Sequence, residues 1–226
     1  MMIIPTARVQ ISFTEELQGP PLPHLLRGAI AKLFVSEPLL HQHQNDGFIY
    51  RYPLVQYRWA NGKGIMIGFH DGGRLLANLS LLNQELELGG KKTTVSGMEI
   101  NFSMEEISFS RRLVRYHFVS PWLPFNQENF EAYTKMNKAK QAYERDRLAI
   151  ANLLMALRGL KVTADGQIYA AFQIRRIVPC KYKEHTFMGF LGTLLTNVAL
   201  PDDVAIGKAV SHGYGWLKRS NLKFGR

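Results

Sequence analysis

The sequence predicts an α+β protein built from two similar halves, each running β-α-β-β-α-β. Three observations predict it. Stretches rich in β-formers alternate with amphipathic helical stretches, and the same order of elements comes round twice. The chain of 226 residues is 46% apolar and 20% charged, enough apolar matter for a core and long enough for one large domain or two small ones.

In the first half, residues 7–13 (ARVQISF) alternate as a strand does. Residues 21–35 set Leu22, Leu25, Leu26, Ala29, Ile30 and Leu33 on one helical face, and Pro20, Pro21 and Pro23 suit its opening. The polar segment HQHQNDG follows. Residues 48–59 are rich in β-formers, Asn61-Gly62 signals a hairpin turn, and GIMIGF returns as the partner strand. Asp71 is placed to cap a helix through about Asn83, with Leu75, Leu76, Leu79 and Leu82 as its buried stripe. Residues 98–109 read as the closing strand. The order is that of a ferredoxin-like unit.

The second half repeats the order. Leu113–Val119 reads as a strand, and Asn126 opens a helical region. Its main part, near 137–158, carries Ala139, Tyr143, Ile150, Leu153, Leu154 and Leu157 at helical spacing, with Gly159 as C-cap. Strands follow around 168–178 and 185–199, then PDDVAIGKAVSHGYG as a helix or turn with a glycine-rich loop, then a last strand near 214–219. The expectation is two ferredoxin-like (RRM-like) domains in tandem, residues 1–111 and 112–226, the second ending in the glycine-rich loop.

Charge narrows the function classes. The chain carries 28 Lys and Arg against 18 Asp and Glu, a net of +10. Residues 1–157 hold 17 basic and 14 acidic side chains, and residues 158–226 hold 11 and 4. Tyr169, Phe172, Tyr182, Phe187, Phe190, Tyr214, Trp216 and Phe224 run among the basic residues of that last third. Cations that neutralise phosphates, interleaved with aromatic faces that stack on bases, suit RNA or single strands. A solvated basic face over core aromatics gives the same pattern. The single cysteine, Cys180, excludes an internal disulfide framework and a multi-cysteine metal site. No signal peptide is expected from MMIIPTARVQISF, no stretch is long and apolar enough to span a membrane, and a cytoplasmic location is the expectation.

The glycine loop permits positive φ and close backbone approach to a ligand, and successive amide N–H groups there could form an anion nest beside Lys208. A plain turn uses glycine in the same way. Its spacing is not that of a P-loop or a dinucleotide fingerprint.

The stretch Gly207-Lys208-Ala209-Val210-Ser211-His212-Gly213-Tyr214-Gly215 resembles the carboxy-terminal motif G-x-G-K-x-x-S-x-G-F/Y-G of the CRISPR-associated repeat-processing endoribonucleases, the Cas family numbered six in the RAMP superfamily. Gly207, Lys208, Ser211, Gly213, Tyr214 and Gly215 match, and Ala205 stands where that motif has its first glycine. Leu26-Arg27-Gly28-Ala29 resembles the opening of that family's first helix. Leu40-His41-Gln42-His43 resembles its histidine segment, Tyr52-Pro53-Leu54-Val55-Gln56-Tyr57 its following strand, and Gly189-Phe190-Leu191-Gly192 the strand before the loop. The resemblance implies a pair of ferredoxin-like domains that cleave the repeat RNA of a CRISPR precursor transcript, leaving a 5′-hydroxyl and a 2′,3′-cyclic phosphate.

The histidines sort by context. His24 and His117 read as structural, His70 as solvated beside Asp71, and His185 as lying at a strand edge. His212 reads as a phosphate contact or a solvated turn residue. A metal site at His41-x-His43 would need a third ligand. Asp46 is nearest, and Asn45 breaks the His-x-His-x-Asp pattern. Two solvated loop histidines are the other reading of this pair.

With the resemblance, His43 or His41 becomes the general acid/base, Arg51 or Lys208 the charge stabiliser, and Tyr50 the residue that orients the nucleophile. Arg27, Arg175 and Arg176 become contacts to the RNA backbone, beside the loop residues Gly207 to Gly215. No metal and no cofactor is expected. Other CRISPR-associated proteins are implied partners, and no membrane is. A non-catalytic RNA-binding subunit of a CRISPR effector complex, and an RNA-binding module outside CRISPR biology, are the alternatives.

Overall fold

The computed structural model describes residues 1–15, 23–41, 43–44, 47–48, 52–164 and 166–220. The chain forms two compact units. The first holds Ile3–Glu105 with Val210–Gly213, and the second holds Met1–Met2, Glu106–Ala209 and Tyr214–Arg226.

The first unit contains β1 (Met2–Phe13), α1 (Pro23–Leu33), α2 (Pro38–His41), β2 (His43–Gln44), β3 (Gly47–Phe48), β4 (Val55–Ala60), β5 (Lys63–Phe69), α3 (Asp71–Ala77) and β6 (Glu85–Leu88). It also holds the start of β7 (Lys91–Phe118), a strand that supplies residues to both units. Its main sheet runs β4-β5-β1-β7, the 4-1-3-2 order in which a β-α-β-β-α-β unit closes. The β4–β5 hairpin turns at Asn61-Gly62, both at positive φ (53° and 73°), the conformation its sequence demands. Ala7, Val9 and Ile11 alternate into the core and meet Leu26 and Ile30 of α1 and Leu76 of α3, all with no exposed surface. Each Val, Leu or Ile side chain among them contributes roughly 1.5–3 kcal/mol on burial.

Three local expectations change. His70, not Asp71, occupies the N-cap of α3, at φ 54° and without a side-chain cap. Asp71 sits in the first turn and accepts from Arg74 Nη1 (3.2 Å). The helix ends at Ala77, because the Asn78 side chain turns back to donate to the Arg74 carbonyl (2.8 Å), and Leu82 is left 48% exposed. The hairpin β6–β7 turns on Gly89-Gly90, a two-glycine turn flanked by Leu86, Leu88 and Thr93. The polar segment after α1 holds the short helix α2 and the paired strands β2 and β3.

The second unit takes up β7 from Glu106 and adds α4 (Gln127–Thr134), α5 (Lys138–Gly159), β8 (Ala170–Tyr182), β9 (His185–Ala199) and β10 (Leu217–Arg219). The order is β10-β7-β9-β8, again 4-1-3-2 and antiparallel throughout. Where the second crossover helix would lie, residues 200–216 carry a single 3-10 turn, Val210–His212. The two strands expected at 98–109 and 113–119 are one strand, β7, and the divisions at 105/106 and at 111/112 both fall within it.

Asn126 caps α4, accepting from the Asn129 N–H at 2.7 Å, and Asn137 caps α5 in the same way. Gly159 is the last residue of α5 rather than its cap. The Val162 N–H reaches the Leu157 carbonyl (2.8 Å) and the Lys161 N–H the Arg158 carbonyl (3.0 Å), a Schellman closure with Lys161 in the left-handed position, φ 58°. Tyr143 is 70% exposed, and so lies off the buried face it was expected to share. Trp122 centres the aromatic core, stacked on Phe118 (5.7 Å) and edge-on to Phe172 (5.0 Å). Among the described residues, no helix is long and apolar enough to cross a membrane.

Candidate nucleic-acid interface

The glycine-rich segment is shared between the units: Val210–Gly213 belongs to the first, and the residues on either side to the second. In the second unit, the Lys208 N–H donates to the Leu123 carbonyl (3.2 Å), the Ile206 N–H to that of Gly215 (3.0 Å), and the Gly215 N–H to that of Pro121 (2.9 Å). Gly207, at φ 101°, lies against Trp122, whose Nε1–H is fixed on Asn152 Oδ1 at 2.9 Å. The Tyr214 hydroxyl donates to the Lys181 carbonyl (2.6 Å) at the end of β8, and burial pushes its phenol pKa up. Lys208 is exposed.

In the first unit, the turn Val210–His212 packs against α1 and β4. Gly213, at φ 92°, has Pro23 where a side chain would be: a Cβ would stand 2.6 Å from Pro23 Cγ. Ser211 is buried and His212 half-buried, with Ser211 Oγ and His212 Nδ1 3.1 Å apart.

These contacts bear on the expected anion nest. The amides of Ile206, Gly213 and Tyr214 donate to carbonyls within the loop, and those of Lys208 and Gly215 to the carbonyls of Leu123 and Pro121, so these five N–H groups are taken up by the protein. The close approach that Gly207 and Gly213 permit is to the protein's own Trp122 and Pro23.

The other expected residues fall as follows. His41 ends α2, and His43 opens β2 opposite Phe48. Tyr50 and Arg51 lie outside the described residues. The carbonyl of Leu40, just before His41, accepts from the Tyr57 hydroxyl at 2.9 Å. Arg27 is half-buried on α1 near Tyr57: burial drives that phenol far above its ordinary range, and the guanidinium pulls the other way. Arg175 and Arg176 are exposed on β8, with Arg175 as the extra residue of a bulge between Ile174 and Arg176. His24 and His117, expected as structural, are both exposed, with His117 Nδ1 3.4 Å from Ser220 Oγ. Among the described residues, no group of three or more His, Cys, Asp or Glu is placed to hold a metal ion.

Arg58 joins the site without a signal in the sequence. It lies on β4, 1% exposed, with Nη1 donating to the carbonyls of Tyr57 (2.8 Å) and Val210 (3.0 Å) and Nη2 to Gln56 Oε1 (2.6 Å). Arg58 alternates with Gln56 in a run of β-formers, a pattern that reads as a solvent-facing strand edge, so nothing local marks it as buried.

Residues 2–106 match the family model of the Cas6b N-terminal domain, and residues 108–220 that of the Cas6b C-terminal domain. An uncharacterised protein of Methanocaldococcus jannaschii is 27% identical over 147 residues, covering 65% of this chain and 97% of that protein. Among solved structures, a crystal structure of Cas6b superposes with a TM-score of 0.85 at 22% identity, covering 97% of this chain and all of the other. A crystal structure of a CRISPR RNA processing endoribonuclease Cas6b superposes with a TM-score of 0.72 at 21% identity, covering 96% and 100%. These superpositions speak for the fold; with both halves matched by the family models in chain order, the chain belongs to the Cas6b family.

Proposed function

We propose that this protein is an endoribonuclease that cleaves the repeat RNA of a CRISPR precursor transcript without a metal ion. The observation that carries the reading is the match of both halves, residues 2–106 and 108–220, to the Cas6b domains. The similar structure named as a CRISPR RNA processing endoribonuclease supports the substrate class.

The chemistry follows from RNA itself. The 2′-hydroxyl beside the scissile phosphate is the nucleophile. A general base takes its proton, the oxygen attacks phosphorus in line, and the P–O5′ bond breaks as a general acid protonates the leaving 5′-oxygen. The products are a 2′,3′-cyclic phosphate and a 5′-hydroxyl. His43 or His41 serves in proton transfer, since imidazole exchanges protons near neutral pH. Arg51 or Lys208 offsets the charge that builds on the phosphoryl oxygens, and Tyr50 orients the nucleophile. Arg27, Arg175 and Arg176 hold the RNA backbone with the loop Gly207, Lys208, Ser211, His212, Gly213, Tyr214 and Gly215. Exposed cations at Lys208, Arg175 and Arg176 suit phosphate contact.

Incubation with the host's repeat RNA in excess EDTA tests the reading. One cut per repeat, with a cyclic phosphate on the upstream product, is the expected result. A gel shift without cleavage would identify an RNA-binding subunit instead, and cleavage restored only by added zinc or magnesium would overturn metal independence.

A further inference from the structure

We propose that Arg58 is a positioning residue for RNA recognition: its buried guanidinium latches the Val210–His212 turn to β4 and so fixes Ser211 and His212 for the RNA. The inference rests on the RNA reading of the site.

The guanidinium gathers acceptors from far apart in the chain. Nη1 binds the Tyr57 carbonyl of its own strand (2.8 Å) and the Val210 carbonyl, 152 residues away (3.0 Å), while Nη2 binds Gln56 Oε1 (2.6 Å). Gln56 has no exposed surface and continues the chain of bonds, its amide donating to the Tyr52 hydroxyl (2.8 Å) and the Pro53 carbonyl (3.2 Å). The polar line Tyr52–Gln56–Arg58–Val210 therefore ends on the loop turn on one side. On the other it reaches Tyr52, the residue that follows candidate site residues Tyr50 and Arg51 in the chain.

Replacing a buried charged group together with its polar partners by apolar side chains is often neutral or stabilising, so stability alone is a weak reason to bury a guanidinium. What the planar fork provides that an apolar group cannot is fixed direction to several acceptors at once. The Val210 carbonyl is the acceptor that stability of the β4–β5 hairpin does not require. It stands next to Ser211, so displacing it moves the turn that carries the buried Ser211 and the half-buried His212, whose Oγ and Nδ1 lie 3.1 Å apart.

The test uses the full chain with Arg58→Met, which keeps length and apolar packing, and Arg58→Ala with methylguanidinium added. Wild type and variants are compared for thermal stability, repeat-RNA affinity, single-turnover cleavage, and amide exchange at residues 210–213. Arg58→Met leaves Gln56 Oε1 and the Val210 carbonyl without this donor, so it is expected to melt several degrees below wild type, and, at a temperature where it is folded, to exchange faster at 210–213 and to lose about 10²-fold in cleavage, the scale of a small misplacement in a site, with a several-fold loss of affinity. Millimolar methylguanidinium is expected to restore Arg58→Ala, and equal methylammonium is not. Arg58→Met with wild-type exchange, affinity and rate would overturn the proposal. So would losses that track melting temperature alone, with no rescue by methylguanidinium. Wild-type protein that binds repeat RNA without cutting it sinks the nuclease reading, while exchange and affinity still judge Arg58.

Discussion

Gly207 rests on the indole of Trp122 so closely that a Cβ would stand 2.6 Å from Cδ1 and 2.8 Å from Nε1. Trp122 has no exposed surface and is held by Asn152, so it has nowhere to retreat. The backbone at Gly207 is also left-handed, at φ 101°. Gly207→Ala therefore combines overpacking with backbone strain, a loss of about 2–4 kcal/mol. For a chain of this size that lowers the melting temperature by roughly 5–15 °C. Calorimetry of the variant checks it, and an unchanged melting temperature with weakened RNA binding would show that the glycine faces the RNA and not the indole.

His43→Ala is expected to slow single-turnover cleavage by about 10²–10⁴-fold, the usual contribution of one general acid/base, while repeat-RNA affinity stays within a few-fold. His43 is favoured over His41 because it opens β2, nearer the strand that follows, whereas His41 closes α2. Quench-flow rates for both single variants decide between them. Wild-type rates in both would end the histidine assignment.

Lys208 and Arg176 are both exposed cations in the second unit. If each neutralises a phosphate, Lys208→Ala with Arg176→Ala weakens RNA binding. The slope of log affinity against log salt then becomes shallower by about 0.7 for each phosphate of a single strand that is no longer neutralised. Titrations at several salt concentrations measure it. An unchanged slope would place the RNA path on other residues.

The fold was legible where local chemistry and burial agree. Asn61-Gly62 turns the hairpin it announces, Asn126 caps the helix it precedes, and Leu26, Ile30, Leu153 and Leu157 are buried at the spacing that placed them on core faces. It was illegible where distant parts decide. Nothing near Ser110–Leu113 tells that β7 runs on through it, because pairing with β9 on either side, across a shift in register, holds the strand together. Gly89-Gly90 is a hairpin signal that the short charged strand Glu85–Leu88 obscures. At the site, the glycine motif stood out in sequence but its packing did not: Trp122, Pro23 and Arg58 come to it from other elements.

Buried phenols set the alkaline limit. Burial raises the pKa of Tyr57, Tyr116 and Tyr214, so each stays protonated in the folded protein at a pH where the unfolded chain has begun to ionise it. The folded state then binds more protons than the unfolded one, and stability falls as pH rises. For Tyr57, the most deeply buried, the stabilisation is complete below about pH 10, the ordinary phenol value, and is lost above it at about 1.4 kcal/mol per pH unit, and Tyr116 and Tyr214 act in the same direction. Urea unfolding between about pH 8 and 11 should show stability starting to fall near pH 9, where the thiol of Cys180 ionises in the unfolded chain before it does in the folded one, and falling more steeply above about pH 10. Tyr57→Phe should make that fall shallower, at the cost of the hydrogen bond to the Leu40 carbonyl. Equal slopes in wild type and variant would mean that the Tyr57 phenol ionises as readily folded as unfolded.

The end of α5 offers a gain in stability. Lys161 holds the left-handed C′ position of the Schellman closure at φ 58°, where a residue with a Cβ is strained and glycine is not. Its side chain is exposed, and the closure is made by backbone groups together with Leu157 and Val162, both buried. Lys161→Gly therefore relieves strain without opening a cavity in the core. The gain is about 1 kcal/mol, the left-handed penalty of a non-glycine residue, reduced by the greater freedom of glycine in the unfolded chain. That raises the melting temperature by roughly 2–4 °C. Lys161→Ala keeps the Cβ and so is expected to give no such gain. A rise in the alanine variant as large as in the glycine variant would trace the effect to the lost charge and not to the backbone.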